Sequence, residues 1–156
     1  MPNLYPEGYE SEVIRAEDLV TGSPVGYRSG VSFDYLAGDY TKDGRNRLLD
    51  CTGIESWKSW CINCIQTERY KHLAYSTDFG IELDKVFAAE SRGEAESILT
   101  REITEAIMAD PYGRAEYVDS IEYLWSAPDT VEVRAVIRGI DDVTLDITAY
   151  ISKGEN

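Results

Sequence analysis

Histidine and cysteine are scarce: the chain has one histidine, His72, and three cysteines, Cys51, Cys61 and Cys64, in 156 residues. A single histidine leaves any Ser-His-Asp or Cys-His mechanism only one base to use. No Gly-x-Ser-x-Gly elbow accompanies it. There is no Walker loop and no Gly-x-Gly-x-x-Gly, so nucleotide binding has no support. Basic residues are also few, 15 against 29 acids, for a net charge of −14. Nucleic-acid binders draw most of their affinity from cations on phosphates. The balance therefore argues against nucleic acid, and against anionic membrane surfaces for the same reason. No apolar run approaches the ~18 residues a membrane span needs. The start, MPNLYPEGYESE, lacks the basic residues and apolar centre of a secretion signal. These absences predict a chain made and kept in a reducing cytoplasm. An odd number of cysteines there does not suggest a disulfide framework.

Aromatic residues are plentiful. Eleven tyrosines and three tryptophans argue against wholesale disorder, which is poor in aromatics. The length fits one domain. Such strong acidity fits a protein that docks on a basic partner, or one with a solvated acidic surface.

The strongest helix signal lies in Thr52–Leu83. Thr52-Gly-Ile-Glu55 fits a capping box. Trp57, Trp60, Cys61, Cys64 and Ile65 then recur at spacings of three and four, on one side of a helix. The pattern stops near Arg69. Leu73–Tyr75 reads as a short extended piece, and Ser76-Thr-Asp78 with Gly80 as a turn. Cys61 and Cys64 form a Cys-x-x-Cys with Cys51 and His72 near in sequence, a set that could hold zinc. They share the helix face of Trp57 and Ile65, however, where free cysteine behaves as a small apolar residue. No metal or cofactor is expected.

Before this stretch, residues 1–30 are broken by Pro2, Pro6, Gly8, Gly22, Pro24, Gly26 and Gly30. They read as an extended N-terminal arm, lying on a neighbouring surface or on its own domain. Residues 31–156 read as the domain proper. Val31–Tyr35 alternates apolar and polar, as a half-buried strand does. Lys42-Asp-Gly-Arg45 is a hairpin signal, and Leu48–Cys51 is the returning strand.

Ile81–Phe87 suits a short buried helix or turn. Ser91-Arg-Gly-Glu94 fits a second capping box. The helix after it carries Ala95, Ile98, Leu99, Ile103, Ala106 and Ile107 on one face. Its other face is acidic, and Asp110-Pro111 ends it. Tyr117–Trp125 includes the alternation Val118, Ser120, Glu122. Val131–Arg138 and Val143–Ile151 alternate cleanly. The expected fold is α+β: a mostly antiparallel sheet with two packed helices, an N-terminal hairpin and a C-terminal strand meander.

The order of Thr67-Glu-Arg-Tyr70, Tyr75-Ser76, Asp78-Phe-Gly80 and Glu82-Leu83 resembles the XkdS-like family of phage tail baseplate proteins. That family is similar to the small "lysozyme-like" wedge protein of contractile-tail baseplates. The resemblance spans about Val31–Ile151. It implies a structural, non-enzymatic subunit of a virion tail baseplate or related injection machine. It also implies docking to other wedge, tail tube or sheath proteins, in several copies per particle. Wedge relatives carry Glu-Pro-Arg after the second helix, with an arginine that locks partners together. Here Asp110 and Pro111 match, and the arginine comes only at Arg114. The resemblance thus points to Asp110, Pro111 and Arg114 as partner contacts. Glu68 and Arg69, beside the turn at Gly80, are further docking candidates. Local ion pairing and C-terminal helix-dipole compensation are the alternative for these two. The "lysozyme-like" label gives a second reading, a small cell-wall glycan hydrolase with Glu68 and Asp78 as its acids.

Overall fold

In a computed structural model of the chain, residues 27–34 and 37–154 are described. The expected N-terminal arm lies almost wholly outside them. The short strands come first: β1 (Gly30–Val31), β2 (Phe33–Asp34), β3 (Asp39–Tyr40) and β4 (Asp50–Cys51). Three helices follow: α1 (Gly53–Gln66), α2 (Leu83–Phe87) and α3 (Arg92–Met108). The meander β5 (Ala115–Ala127), β6 (Thr130–Gly139) and β7 (Thr144–Ser152) closes the chain. This is the expected α+β class, with Leu83–Phe87, inside the stretch Ile81–Phe87, as a short further helix.

The N-terminal hairpin is slighter than its alternation suggests. Instead of one strand over Val31–Tyr35, β1 pairs antiparallel with β4, and β2 turns back onto β3. An isolated bridge joins Lys42 to Leu48 across the Asp-Gly turn. Most side chains here are exposed. With little apolar surface to bury, the segment has little to hold a long ladder together.

Helix α1 starts as its sequence predicts. The Thr52 hydroxyl accepts from the Glu55 amide at 3.3 Å, and a Glu55 carboxylate oxygen accepts from the Thr52 amide at 2.9 Å. The apolar stripe then buries Trp57, Cys61, Cys64 and Ile65 completely. At α3, Ser91 caps the Glu94 amide, but the Glu94 carboxylate accepts from Glu90 N–H. The second capping box is therefore only half formed.

The sheet order is β5-β6-β7, with β6 central. Helix α1 packs on β7, α3 on β5, and the two helices on each other. Val131, Val133, Ala135 and Ile137 of β6 face them, as do Leu145, Ile147, Ala149 and Ile151 of β7. Period-two alternation translates directly into that buried face. Strand β5 departs from it. Its pairing with β6 is irregular between Ala115 and Tyr117, between Val118 and Ser120, and between Trp125 and Ala127. The middle irregularity changes the phase of the strand. Ser120 and Glu122 are exposed, and the inward row after Val118 is Ile121, Tyr123, Trp125. By contrast, the register of β6 with β7 runs unbroken.

Candidate functional site

Thr67–Glu82 connects α1 to α2 as a loop closed at its base. The Arg69 amide donates to the Ile81 carbonyl at 2.9 Å, and the Ile81 amide to the Thr67 carbonyl at 3.0 Å. Gly80 makes this closure possible. It is buried at φ +92°, and a Cβ there would stand 2.6 Å from the Thr67 carbonyl oxygen. A buried carboxylate fixes the loop to α3. Glu102 is 3% exposed and accepts from the Glu82 amide at 3.1 Å. It also meets Arg69 at 3.8 Å and Arg101 at 3.6 Å. Arg69 Nε donates to the Gly80 carbonyl at 3.0 Å. The acidic face read along α3 therefore has an exception: at position 102 the acid points inward, toward the two arginines.

Arg69 and Gly80 thus serve the loop's own closure. Glu68 is half-buried and paired with Lys71 at 2.7 Å. Asp78, its proposed partner in a hydrolase, is exposed on the turn. Leu73–Tyr75 is not extended: the segment is a pair of turns, with the Tyr75 amide donating to the His72 carbonyl and the Phe79 amide to the Ser76 carbonyl. The rings explain this shape. Tyr75 packs on Phe79 with centroids 4.5 Å apart, and Phe79 on Trp60 at 5.8 Å. Curling the loop sets Phe79 against the half-buried Trp60, with Tyr75 stacked on Phe79. Together with Asn63, Ala74, Ser76 and Pro111 they line a cavity of about 320 Å³.

The turn after α3 is organised by Asp110 and Arg114. Arg114 Nε and Nη2 donate to the two Asp110 carboxylate oxygens at 2.7 and 2.9 Å. The amides of Tyr112 and Arg114 donate to the same carboxylate. Both residues are buried, at 7% and 5% exposure. The guanidinium lies over the Trp60 ring at 5.5 Å and the Tyr112 ring at 5.1 Å. Arg28 lies over Tyr112 in turn, at 5.8 Å. The three residues between Asp110 and Arg114 let the chain turn back so that the pair closes internally. Of Asp110, Pro111 and Arg114 only Pro111 is exposed.

The thiols of Cys61 and Cys64 are in the core. Burial raises the Cys61 thiol far above its ordinary range and pushes Cys64 up to about 11. The Cys64 thiol faces the Ala106 carbonyl at 3.8 Å. Among the described residues no group of three or more His, Cys, Asp or Glu could hold a metal ion. No helix among them is long and apolar enough to cross a membrane.

Among the described residues, two surfaces that a partner could use are not marked by charge in the sequence. One is the outer edge of β7, which has no strand beside it among the described residues. The other is the tip of the 67–82 loop, where Tyr70, Leu73 and Tyr75 are exposed. A leucine at 105% exposure carries no sequence signal of its own, because apolar residues predict burial.

The geometry defines an α+β scaffold whose interior ionisable groups hold its own turns in place. Residues 30–142 match the family described as contractile injection system sheath initiator. That is well over half of the 156 residues, and the chain belongs to this family. It is a structural component of a contractile injection system. No curated protein matches the chain.

Proposed function

We propose that the protein starts sheath assembly by offering the free edge of β7 to an extended segment of a sheath subunit. The edge itself carries this reading. Strand β5 is also an edge, but bulges interrupt it, and bulged edges are poor templates. Strand β7 is nine residues long and regular. An incoming strand gains main-chain hydrogen bonds along such an edge.

The ladder fixes which groups are offered. The Gly139 amide donates to the Val143 carbonyl, and the Lys153 amide to the Asp129 carbonyl. Hydrogen-bonded pairs alternate along an antiparallel ladder. Leu145, Ile147, Ala149 and Ile151 therefore bond to β6. Thr144, Asp146, Thr148 and Tyr150 turn their amides and carbonyls outward.

The Asp110-Pro111-Arg114 turn and the loop near Glu68 and Arg69 then sit toward baseplate wedge or tail tube subunits. Pro111 and Glu68 make contact there, while Asp110, Arg69, Arg114 and Gly80 hold the surface in shape. In this reading several copies stand around the tail axis, at the baseplate. The role is one of docking, without catalysis.

Thr148→Pro tests the edge. It removes an outward amide and leaves the bonds to β6 intact, because proline is tolerated on a free edge. The variant should fold, by circular dichroism, yet fail to nucleate sheath on purified baseplates. Sheath of normal length on Thr148→Pro baseplates would refute the reading.

A further inference from the structure

We infer that the segment added to β7 carries a lysine or arginine opposite Asp146, and that this pair sets the register of the added strand. The inference rests on the edge reading above and names the chemistry of the strand that the edge accepts.

The outward row of β7 is Thr144, Asp146, Thr148 and Tyr150, all exposed. Asp146 is the only charge in it. The cations beside it on β6 are committed elsewhere. Arg134 is held by Glu132 at 2.7 Å. Arg138 donates to the Thr144 hydroxyl and lies 3.9 Å from Asp119. Just before the strand, the β6–β7 turn adds Asp141 and Asp142, both exposed and in the left-handed region at φ +58° and +57°. None of these three carboxylates has an ion pair among the described residues. Three acids among 29 carry no signal in the sequence. In the fold they stand toward one end of the edge, while the other end carries Tyr150 and the exposed Lys153. The edge is electrically lopsided, and a basic side chain on the added strand complements its acidic end.

Main-chain bonds alone cannot choose a register, because every second residue of β7 offers the same amide and carbonyl. A charge can. A residue directly opposite Asp146 has its Cβ about 5 Å away, within reach of a lysine or arginine head. Side chains alternate between faces, so a slip of one residue turns that cation inward. There it meets the row of Leu145, Ile147 and Ala149, at most 4% exposed, and gives up water without gaining a partner. A slip of two residues leaves the cation opposite Thr144 or Thr148, which carry no charge. Only one register pairs it with Asp146.

Asp146 is exposed, so its substitution changes the surface and spares the core. Sheath nucleation is measured on purified baseplates carrying full-length parent, Asp146→Asn or Asp146→Lys, at low and at high salt. At low salt it should fall a few-fold for Asp146→Asn and on the order of tenfold for Asp146→Lys, where like charges oppose each other. High salt should narrow both differences. Glu105→Lys makes the same charge change on the exposed face of α3 and should nucleate like the parent. Parental nucleation by Asp146→Lys at low salt, or an equal loss in Glu105→Lys, would overturn the inference. If Thr148→Pro still blocks growth in that assay, the edge reading survives the result. If Thr148→Pro also nucleates like the parent, both fall.

Discussion

Replacing Arg114 with methionine separates an internal latch from a partner contact. Methionine keeps most of the apolar stem and removes only the charged head. The loss follows from the geometry. Asp110, with its carboxylate out of water, loses two charge-assisted hydrogen bonds at 2.7 and 2.9 Å. It retains only the amides of Tyr112 and Arg114. Breaking a buried pair from one side costs about 3–5 kcal/mol, because the remaining charge is uncompensated. Stacking on Trp60 and Tyr112 adds roughly 0.5–1 kcal/mol per ring. In a domain of this size about 1 kcal/mol shifts Tm by ~2–4 °C. Together these come to about 4–7 kcal/mol, so Arg114→Met should melt roughly 8–28 °C below the parent protein, in the absence of any partner. Calorimetry of Arg114→Met, Asp110→Asn and the double variant completes the cycle. The two single losses should be strongly non-additive, with a coupling of about 2 kcal/mol or more. An arginine serving only a partner would leave the free protein within ~0.5 kcal/mol of the parent. A Tm for Arg114→Met within about 2 °C of the parent would refute the latch.

Two further substitutions probe the loop and the core. Gly80→Ala places a Cβ against the Thr67 carbonyl in a left-handed backbone and should cost about 1–3 kcal/mol. Amide exchange at Arg69 and Ile81 should then accelerate, and unchanged protection would contradict the loop-base account. Cys64 sets an alkaline limit. Burial raises its thiol from near 9 to about 11, so above pH ~9 the unfolded chain loses a proton that the native one keeps. Stability from this group is complete below pH ~9 and is lost as pH rises toward about 11, up to roughly 2–3 kcal/mol. Urea unfolding of Cys64→Ala should show a shallower alkaline decline than the parent, and an identical slope would exclude the thiol as its source.

Local physics made much of this protein legible from its residues alone. Threonine three residues before a glutamate marks the start of α1. Spacings of three and four bury Trp57, Cys61, Cys64 and Ile65. Strict alternation makes β6 and β7 a two-layer partner for the helices. Each of these signals lies within a few residues, so the chain carries it without reference to the fold. The resemblance of the ordered motifs around Thr67–Leu83 to a known family, and not local physics, pointed to contractile-tail machinery. What required the tertiary structure was where long side chains end. Glu102 reads as one more acid on a solvated helix face until Arg69, thirty-odd residues earlier, is seen beside it. Arg114 enters from the sequence as a partner contact implied by the resemblance, and only the folded turn shows it paired with Asp110 between two rings. Leu73 reads as part of a short extended piece until the loop is seen to curl and leave its side chain in water. In each case a charge or an apolar group finds its environment from residues distant in sequence. Only the packed chain fixes whether that environment is interior, partner or water.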